Sequence, residues 1–385
     1  MIKQGTFRIE VIRSGKIPQK VMEDLFMRIV NFSAGPAMIP TAVMERAQKE
    51  FCDYNGSGCG LMEHSHRGPL FDEILARANS NIREILGVSD EYEVVYIQGG
   101  ASMQFAMVPM NLMLPGGYAE YADTGTWSSK AMKEAKLFGE VKCIASSKED
   151  KYTYIPSFDK WQPSTKEASY LHITSNNTIY GTQYQEFPEA NAPLIADMSS
   201  DIMSRRFDMN KFGMIYAGAQ KNLGPSGVTL VIIRKDLIAR TPANVPTMLR
   251  YATYTDNNSL YNTPPTYGIY MLALVTDWVK EQGGIDGIEK INNAKAAALY
   301  AAIDGSDGYY RNPVCPCSRS RMNVVFRLPN EELEAKFVKE AKAAGMIGLK
   351  GHRSVGGIRA SIYNAVPTEG VEKLIDFMAA FKKAN

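Results

Sequence analysis

From about Asn31 onward, short apolar runs alternate with stretches whose apolar positions recur at helical spacing. Val43, Ala47 and Phe51 mark a first helix after Thr41, and Leu70, Ile74, Ala78, Ile82 and Ile85 mark a second. EVVYI, followed by a Gly-Gly turn and ASMQF, reads as strand, turn and helix, with Pro109 expected to kink or end that helix. YAEYAD, VKCIA, SYLHIT, LIAD, MIYAGA and VTLVII supply six further strands. Thr241 to Pro265, rich in Tyr, Asn, Thr and Pro, reads as a long irregular loop of the kind that is functional or buried at an interface. Helical patterns resume at Tyr267 to Gln282 and Ile285 to Ile303. MNVVFRL, EELEAKFVKEAKAAG, GIRASIY and VEKLIDFMAAFKKAN then give strand, helix, strand, helix.

This alternation predicts an α/β protein: a large domain with a mainly parallel, seven-stranded-type sheet flanked by helices, plus a smaller C-terminal α/β domain. The expected boundaries are 29–284 for the large domain, whose N-terminal segment contributes to the small domain or the active site, and 285–385 for the small one. Residues 1–28 lack periodicity and read as a non-native or disordered appendage. MEDLF reads as a translated leader, which would make Met27 the native start.

Composition narrows the function classes. The 385 residues carry a net charge of +2 from 43 basic and 41 acidic side chains, without a long single-sign run, so neither nucleic acid nor a membrane surface is an expected partner. No apolar run reaches the roughly 20 residues of a membrane helix and no secretory core opens the chain, which predicts a cytoplasmic protein. The five cysteines, Cys52, Cys59, Cys143, Cys315 and Cys317, are odd in number and irregularly spaced, pointing to reduced thiols and no metal site.

The most specific chemistry lies between Leu194 and Ile233. Asp197 ends one apolar run and Lys221 follows another, so both project from strand ends, where ligands of α/β sheets collect. Gly224, Pro225 and Gly227 leave Lys221 room to approach a ligand. A carboxylate facing a lysine suggests pyridoxal phosphate: the acid keeps the pyridine nitrogen protonated, and the lysine first holds the aldehyde, then shuttles a proton. Taken singly, each residue reads more readily as a solvated lysine or a turn aspartate, and the neighbouring motifs overturn that reading. Ala101 and Ser102 open a helix after the Gly-Gly turn, a geometry that binds phosphate. Trp127, at a strand end, either packs at a rim or stacks on a flat ring. His64, His66 and Arg67 sit on a glycine-rich loop that is either an anion grip or a solvated loop. Arg359, in an otherwise apolar strand beside His352 and Arg353, needs an anion, either a ligand or a structural ion-pair partner.

NFSAGPA, HSHRG, QGGASMQF, TGTW, ADMSSDIMSR, YAGAQKNLGPSG, NTPPT and GHRSVGGIRASIYNA follow one another in an order that resembles the phosphoserine aminotransferase family, fold-type I pyridoxal-phosphate enzymes of the class V aminotransferase group. The resemblance implies amino transfer between L-glutamate and 3-phosphohydroxypyruvate in serine biosynthesis, and also the phospho-hydroxybutanoate step of pyridoxine synthesis. It implies that Lys221 carries the cofactor, Asp197 faces the pyridine nitrogen and Trp127 stacks on the ring. Ala101, Ser102 and Gln220 would contact the phosphate, and Thr178 the cofactor hydroxyl. Asn262 and Thr263 would reach the phosphate of the neighbouring subunit in a homodimer with shared active sites. Arg359 would take the substrate α-carboxylate, with His66, Arg67, His352 and Arg353 on the distal anion. Two departures stand out: Ser102 occupies a place where some relatives carry Arg, and the extension before Met27 has no counterpart in the pattern.

Three rival readings remain: another class V aminotransferase acting on glyoxylate or pyruvate, a cysteine desulfurase, and a non-catalytic pyridoxal-phosphate carrier. Cys315 and Cys317 are the late cysteines a desulfurase would need, but their CPC setting lacks a glycine-rich mobile loop.

Overall fold

The structure, a computed structural model, describes residues 28–385, so the proposed leader and Met27 lie outside the described residues. Arg28 donates to Ile39 O (3.0 Å) and Thr41 Oγ1 (2.8 Å).

The chain begins with β1 (Val30–Asn31) and α1 (Thr41–Lys49), then α2 (Pro69–Leu86), β2 (Tyr92–Ile97), α3 (Gly100–Leu112), β3 (Tyr118–Asp123), α4 (Thr126–Ala135) and β4 (Glu140–Ser146). Next come β5 (Leu171–Thr174), a small hairpin of β6 (Asn176–Asn177) and β7 (Thr182–Gln183), β8 (Leu194–Asp197), β9 (Met214–Gly218) and β10 (Thr229–Arg234). Two short helices, α5 (Lys235–Ile238) and α6 (Tyr251–Thr255), precede α7 (Thr266–Glu281) and α8 (Gly284–Asp304). The C-terminal part holds β11 (Asn323–Phe326), α9 (Glu331–Ala343), β12 (Met346–Ile347), β13 (Ile358–Ser361) and α10 (Thr368–Ala384).

The seven expected strands form one sheet in the order β2-β10-β9-β8-β5-β3-β4. Every pair from β9 to β4 is parallel, whereas β10 runs antiparallel to both β2 and β9. The connection from Ala219 to Val228 is shorter than the roughly dozen residues a parallel crossover needs, which forces that reversal. LHIT, LIAD and MIYAG are buried at every position, as strands covered on both faces must be. On one face α2 (Phe71, Ile74, Ala78, Ile82) packs with α7 (Ile269, Leu272, Val275). On the other face, Phe105, Val108 and Leu112 of α3 pack with Tyr170, Tyr216 and Tyr251.

A second core gathers Val324, Phe326, Phe337, Ile358 and Leu374 with Val30 and Phe32 from the N-terminal segment. That segment is tied in because β1 pairs in parallel with β12, Val30 opposite Met346. Helix α8 joins the two cores: Ile285 and Ile288 lie in the first, and Leu299 and Ile303 in the second.

Three local expectations are corrected. Helix α1 stops at Lys49, leaving Phe51 beyond it at 46% exposure, edge-on to Tyr267. Helix α3 runs three residues past Pro109, its last turn held by Asn111 Nδ2 donating to Met107 O and Leu249 O (2.7 and 2.8 Å). The segment 241–265 contains α6, whose Tyr251 and Tyr254 are core residues: the Tyr251 hydroxyl donates to Gln104 and that of Tyr254 to Met248 O. Tyr251 and Tyr254 thus fill the core, whereas Tyr261 stays exposed.

Candidate active site

The carboxyl ends of β5, β8 and β9 and the start of α3 enclose a cavity of about 360 Å³, where ligands of α/β sheets bind. Ala101, Ser102, Trp127, Thr178, Asp197, Gln220, Lys221, His352 and Arg359 all line it. A larger cleft of about 540 Å³, bordered by the Arg206–Asp286 and Lys280–Glu84 ion pairs, gathers none of these residues.

Asp197 is the last residue of β8, and the Ser199 N–H (2.9 Å) and hydroxyl (2.6 Å) both donate to its Oδ1. Ser199 Oγ in turn accepts from Gly218 N at 3.0 Å, which ties the carboxylate to the end of β9. Burial raises the pKa of Asp197, opposed by the charge of Lys221 and the Ser199 bonds. Burial likewise depresses Lys221, with Asp197 and Asp201 pulling it back and Arg359 adding to the depression. A lysine in this state holds more of its amine neutral and nucleophilic than a solvated one.

Gly99 and Gly100 have φ of 94° and 69°, the left-handed conformation that turns β2 sharply into α3. The turn leaves the first N–H groups of α3, including those of Ala101 and Ser102, facing the cavity without intrahelical partners. No Arg stands at position 102, so the positive potential at this turn comes from the backbone N–H groups and the helix dipole.

Trp127 lies at the start of α4, its indole N–H donating to Thr178 Oγ1 at 3.1 Å. Thr178 O accepts from Arg359 Nη1 at 3.0 Å. Arg359 Nε is buried without a partner, and the acidic group the guanidinium feels is the Tyr363 phenol, not a carboxylate. Among the described residues, no carboxylate pairs with Arg359, so the structural ion pair is not formed. His352 Nδ1 is paired with Ser354 Oγ at 2.7 Å, and its pKa is lowered by burial, then by Arg359, Arg353 and Lys130.

Five candidates lie outside this cavity. Arg353 is exposed on the loop beside His352. Arg67 Nε meets His66 Nε2 at 3.2 Å, and its Nη2 donates to Tyr261 O at 3.4 Å, so the HSHRG loop sits against the segment carrying Asn262 and Thr263. Gln98 Nε2 donates to Thr263 O at 3.1 Å, bringing that segment near the Gly-Gly turn without entering the cavity. His66 and Arg67 do not line the cavity of their own chain that holds His352.

Sequence reasoning singled out neither Ser199, which orients Asp197, nor Asn176, which lines the cavity and is held by Ser200 (2.8 Å) and Asn323 (2.7 Å). The consecutive serines after Asp197 were the available signal. Gly35 also lines the cavity, and a Cβ there would lie 3.7 Å from the Gln220 and Lys221 side chains.

The Aminotransferase class-V family pattern matches residues 29–374. A phosphoserine aminotransferase of Niallia circulans is 54% identical over 359 residues, 93% of this chain and 99% of that protein, and one of Bacillus subtilis is 53% identical over 358. The solved structure of a phosphoserine aminotransferase from Bacillus circulans subsp. alkalophilus superimposes with a TM-score of 0.91 at 54% identity, covering 93% of this chain and 99% of that one. A PLP-bound phosphoserine aminotransferase from Trichomonas vaginalis gives 0.87 at 38% identity, covering 91% and 100%. With this fold, this cavity and these near full-length relatives, the chain belongs to the phosphoserine aminotransferase family of the class V aminotransferases.

Proposed function

We propose that the cavity binds pyridoxal 5'-phosphate and that the protein transfers an amino group between L-glutamate and 3-phosphohydroxypyruvate, giving O-phospho-L-serine and 2-oxoglutarate. The observation that carries this reading is the convergence on one cavity of a buried carboxylate, a lysine of depressed basicity, a helix N-terminus and an arginine with no carboxylate partner among the described residues.

These residues fit the cofactor. The N–H groups of Ala101 and Ser102 and the α3 dipole suit a phosphate, with Gln220 beside them. Trp127 offers a flat face whose N–H is tied to Thr178, and Thr178 would be the residue to hold the cofactor hydroxyl. When bound, the cofactor supplies an electron sink for the substrate Cα. Asp197, its burial cost offset by a cationic ring nitrogen, holds that nitrogen protonated. Lys221 carries the cofactor between turnovers and, once released, moves the proton at the substrate Cα. Arg359 presents its guanidinium to the α-carboxylate common to both amino-acid partners. The second anion is met by His352 and Arg353, next to a cleft of about 660 Å³ that shares His352 and Arg359 with the cavity and is also lined by Lys148 and Lys151.

The working unit is a homodimer with shared sites. Support comes from the cluster of His66, Arg67, Asn262 and Thr263, which carries anion-binding side chains but lies outside the chain's own cavity, flanked by exposed Met62 and Tyr261. A partner's cavity is where these groups find a ligand. Among the described residues no helix is long and apolar enough to cross a membrane, and no cluster of His, Cys, Asp and Glu could hold a metal.

The test is turnover of glutamate with 3-phosphohydroxypyruvate, followed as 2-oxoglutarate, in parallel with the phospho-hydroxybutanoate keto acid, pyruvate and glyoxylate. Preference for the phosphorylated keto acids supports the reading. Turnover confined to pyruvate or glyoxylate would replace it with a small-keto-acid aminotransferase.

A further inference from the structure

The amino transfer uses no sulfur, yet two thiols are held together on the surface. Cys315 and Cys317 flank Pro316 at a 3₁₀ turn (Pro316–Ser318), both exposed, with their Sγ atoms 2.8 Å apart. The turn is anchored on each side. Cys315 N donates to Thr153 O (2.9 Å), Ser318 N to Cys315 O (2.8 Å), and Ile155 N to Ser318 Oγ (3.0 Å). Val314 and Ser318 are buried while the three residues between them are exposed, so the backbone is fixed and only the CPC tip faces solvent. Cys52 and Cys143 are also exposed, and among the described residues neither is hydrogen-bonded to another thiol, which makes them internal controls.

We propose that Cys315 and Cys317 form a thiol–disulfide exchange site, which reduces a low-molecular-weight disulfide and closes an intrachain disulfide between the two residues. Cys317 is the attacking sulfur. Its Sγ has two hydrogen-bonding neighbours, Cys315 Sγ at 2.8 Å and Ser318 Oγ at 3.6 Å, so a thiolate there can be held by both. The Cys317 thiolate attacks one sulfur of the small disulfide, forming a mixed disulfide and releasing one small thiolate. Cys315 then gives up its proton and attacks the Cys317 sulfur, breaking the bond to the second small thiolate. The protein dithiol loses two electrons, the small disulfide gains them, and both thiol protons end on the two small thiols. Closure brings the sulfurs from 2.8 Å to a bonding distance of about 2.05 Å, a shift of less than an ångström for side chains on a fixed turn. The site lies at the rim of the cleft that adjoins the active-site cavity, since Thr153 and Pro313 both line that cleft.

The experiment treats the cofactor-loaded protein with oxidised glutathione, blocks remaining thiols with an alkylating reagent, and maps the peptides without reduction. The expected peptide spanning Cys315 and Cys317 has lost two hydrogens and carries neither glutathione nor alkyl label, while Cys52 and Cys143 carry only glutathione adducts or label. Cys315→Ser should trap glutathione on Cys317. Cys317→Ser should leave Cys315 reacting no faster than Cys52. Retained transaminase activity in both variants verifies that they fold. A stable glutathione adduct on either residue of the unaltered protein, or reaction at Cys52 with none at the pair, would overturn the site. Faster reaction of Cys315 in Cys317→Ser would overturn the assignment of the attacking sulfur.

Discussion

Removing the Arg359 guanidinium separates fold maintenance from the proposed substrate recognition, because the fold asks little of this group. In the structure it makes one hydrogen bond, Nη1 to Thr178 O at 3.0 Å, and leaves a buried Nε unpartnered. Arg359→Ala should therefore cost about 1 kcal/mol of stability, the net value of one hydrogen bond. The loss on substrate binding is larger. A carboxylate left in the cavity without its charge partner costs roughly 2–5 kcal/mol, and one tenfold step corresponds to about 1.4 kcal/mol, so KM should rise roughly thirty-fold to several thousand-fold. Both glutamate and 3-phosphohydroxypyruvate present an α-carboxylate, so both KM values should rise together. Arg359→Lys retains the charge without the planar fork and should fall between the two. Arg353→Ala should instead discriminate by the distal group. The assay is steady-state kinetics with each substrate varied in turn, beside a denaturation curve. An effect of Arg359→Ala on the phosphorylated substrate alone would reverse the two anion sites, and a stability loss of several kcal/mol with unchanged KM would make Arg359 a structural residue.

Three further outcomes are expected. Asp197→Asn keeps an oxygen for the Ser199 donors but loses the charge, so cofactor should still bind while turnover falls by about four orders of magnitude, from roughly 5 kcal/mol for opposite charges about 3 Å apart at an effective dielectric near 20; single-turnover measurement of the chemical step checks this. His172, stacked on Tyr121 with Nε2 2.9 Å from the Tyr216 hydroxyl, has its pKa driven by burial from 6.5 to about 3. The unfolded chain takes up the proton that the fold refuses, so its contribution is complete above pH 6.5 and is lost below it by up to about 1.4 kcal/mol per unit until about pH 3; urea denaturation of His172→Gln should show a shallower acid loss than the unaltered protein. Co-expressing Lys221→Ala with Asn262→Ala/Thr263→Ala should restore activity to about a quarter of wild type, because half the dimers are hybrids with one intact site. Recovery no greater than the parental average would place each site within one chain.

The strands and the cavity's central pair were legible because both follow from local pattern. Buried runs such as LIAD and MIYAGA need no long-range information, and an acid or lysine at the end of such a run lies at the sheet's carboxyl edge. Other features depend on tertiary partners. The β1–β12 pairing joins two-residue strands more than 300 positions apart and has no periodicity to betray it. Tyr251 looked like part of an irregular loop because its partner, Gln104, is supplied by α3. His66 and Arg67 were readable as anion-binding types, but residue type does not say whose anion they hold, and their loop lies beyond the chain's own cavity.

The most direct measurement is reductive trapping of the cofactor-loaded protein with borohydride, followed by peptide mapping. The account predicts the pyridoxyl mass on Lys221 alone, and in Lys221→Ala no trapped cofactor and no transamination although phosphate and ring contacts still retain cofactor reversibly. Trapping on a different lysine, or Lys221→Ala turnover within about tenfold of wild type, a difference of only about 1.4 kcal/mol in barrier, would contradict it.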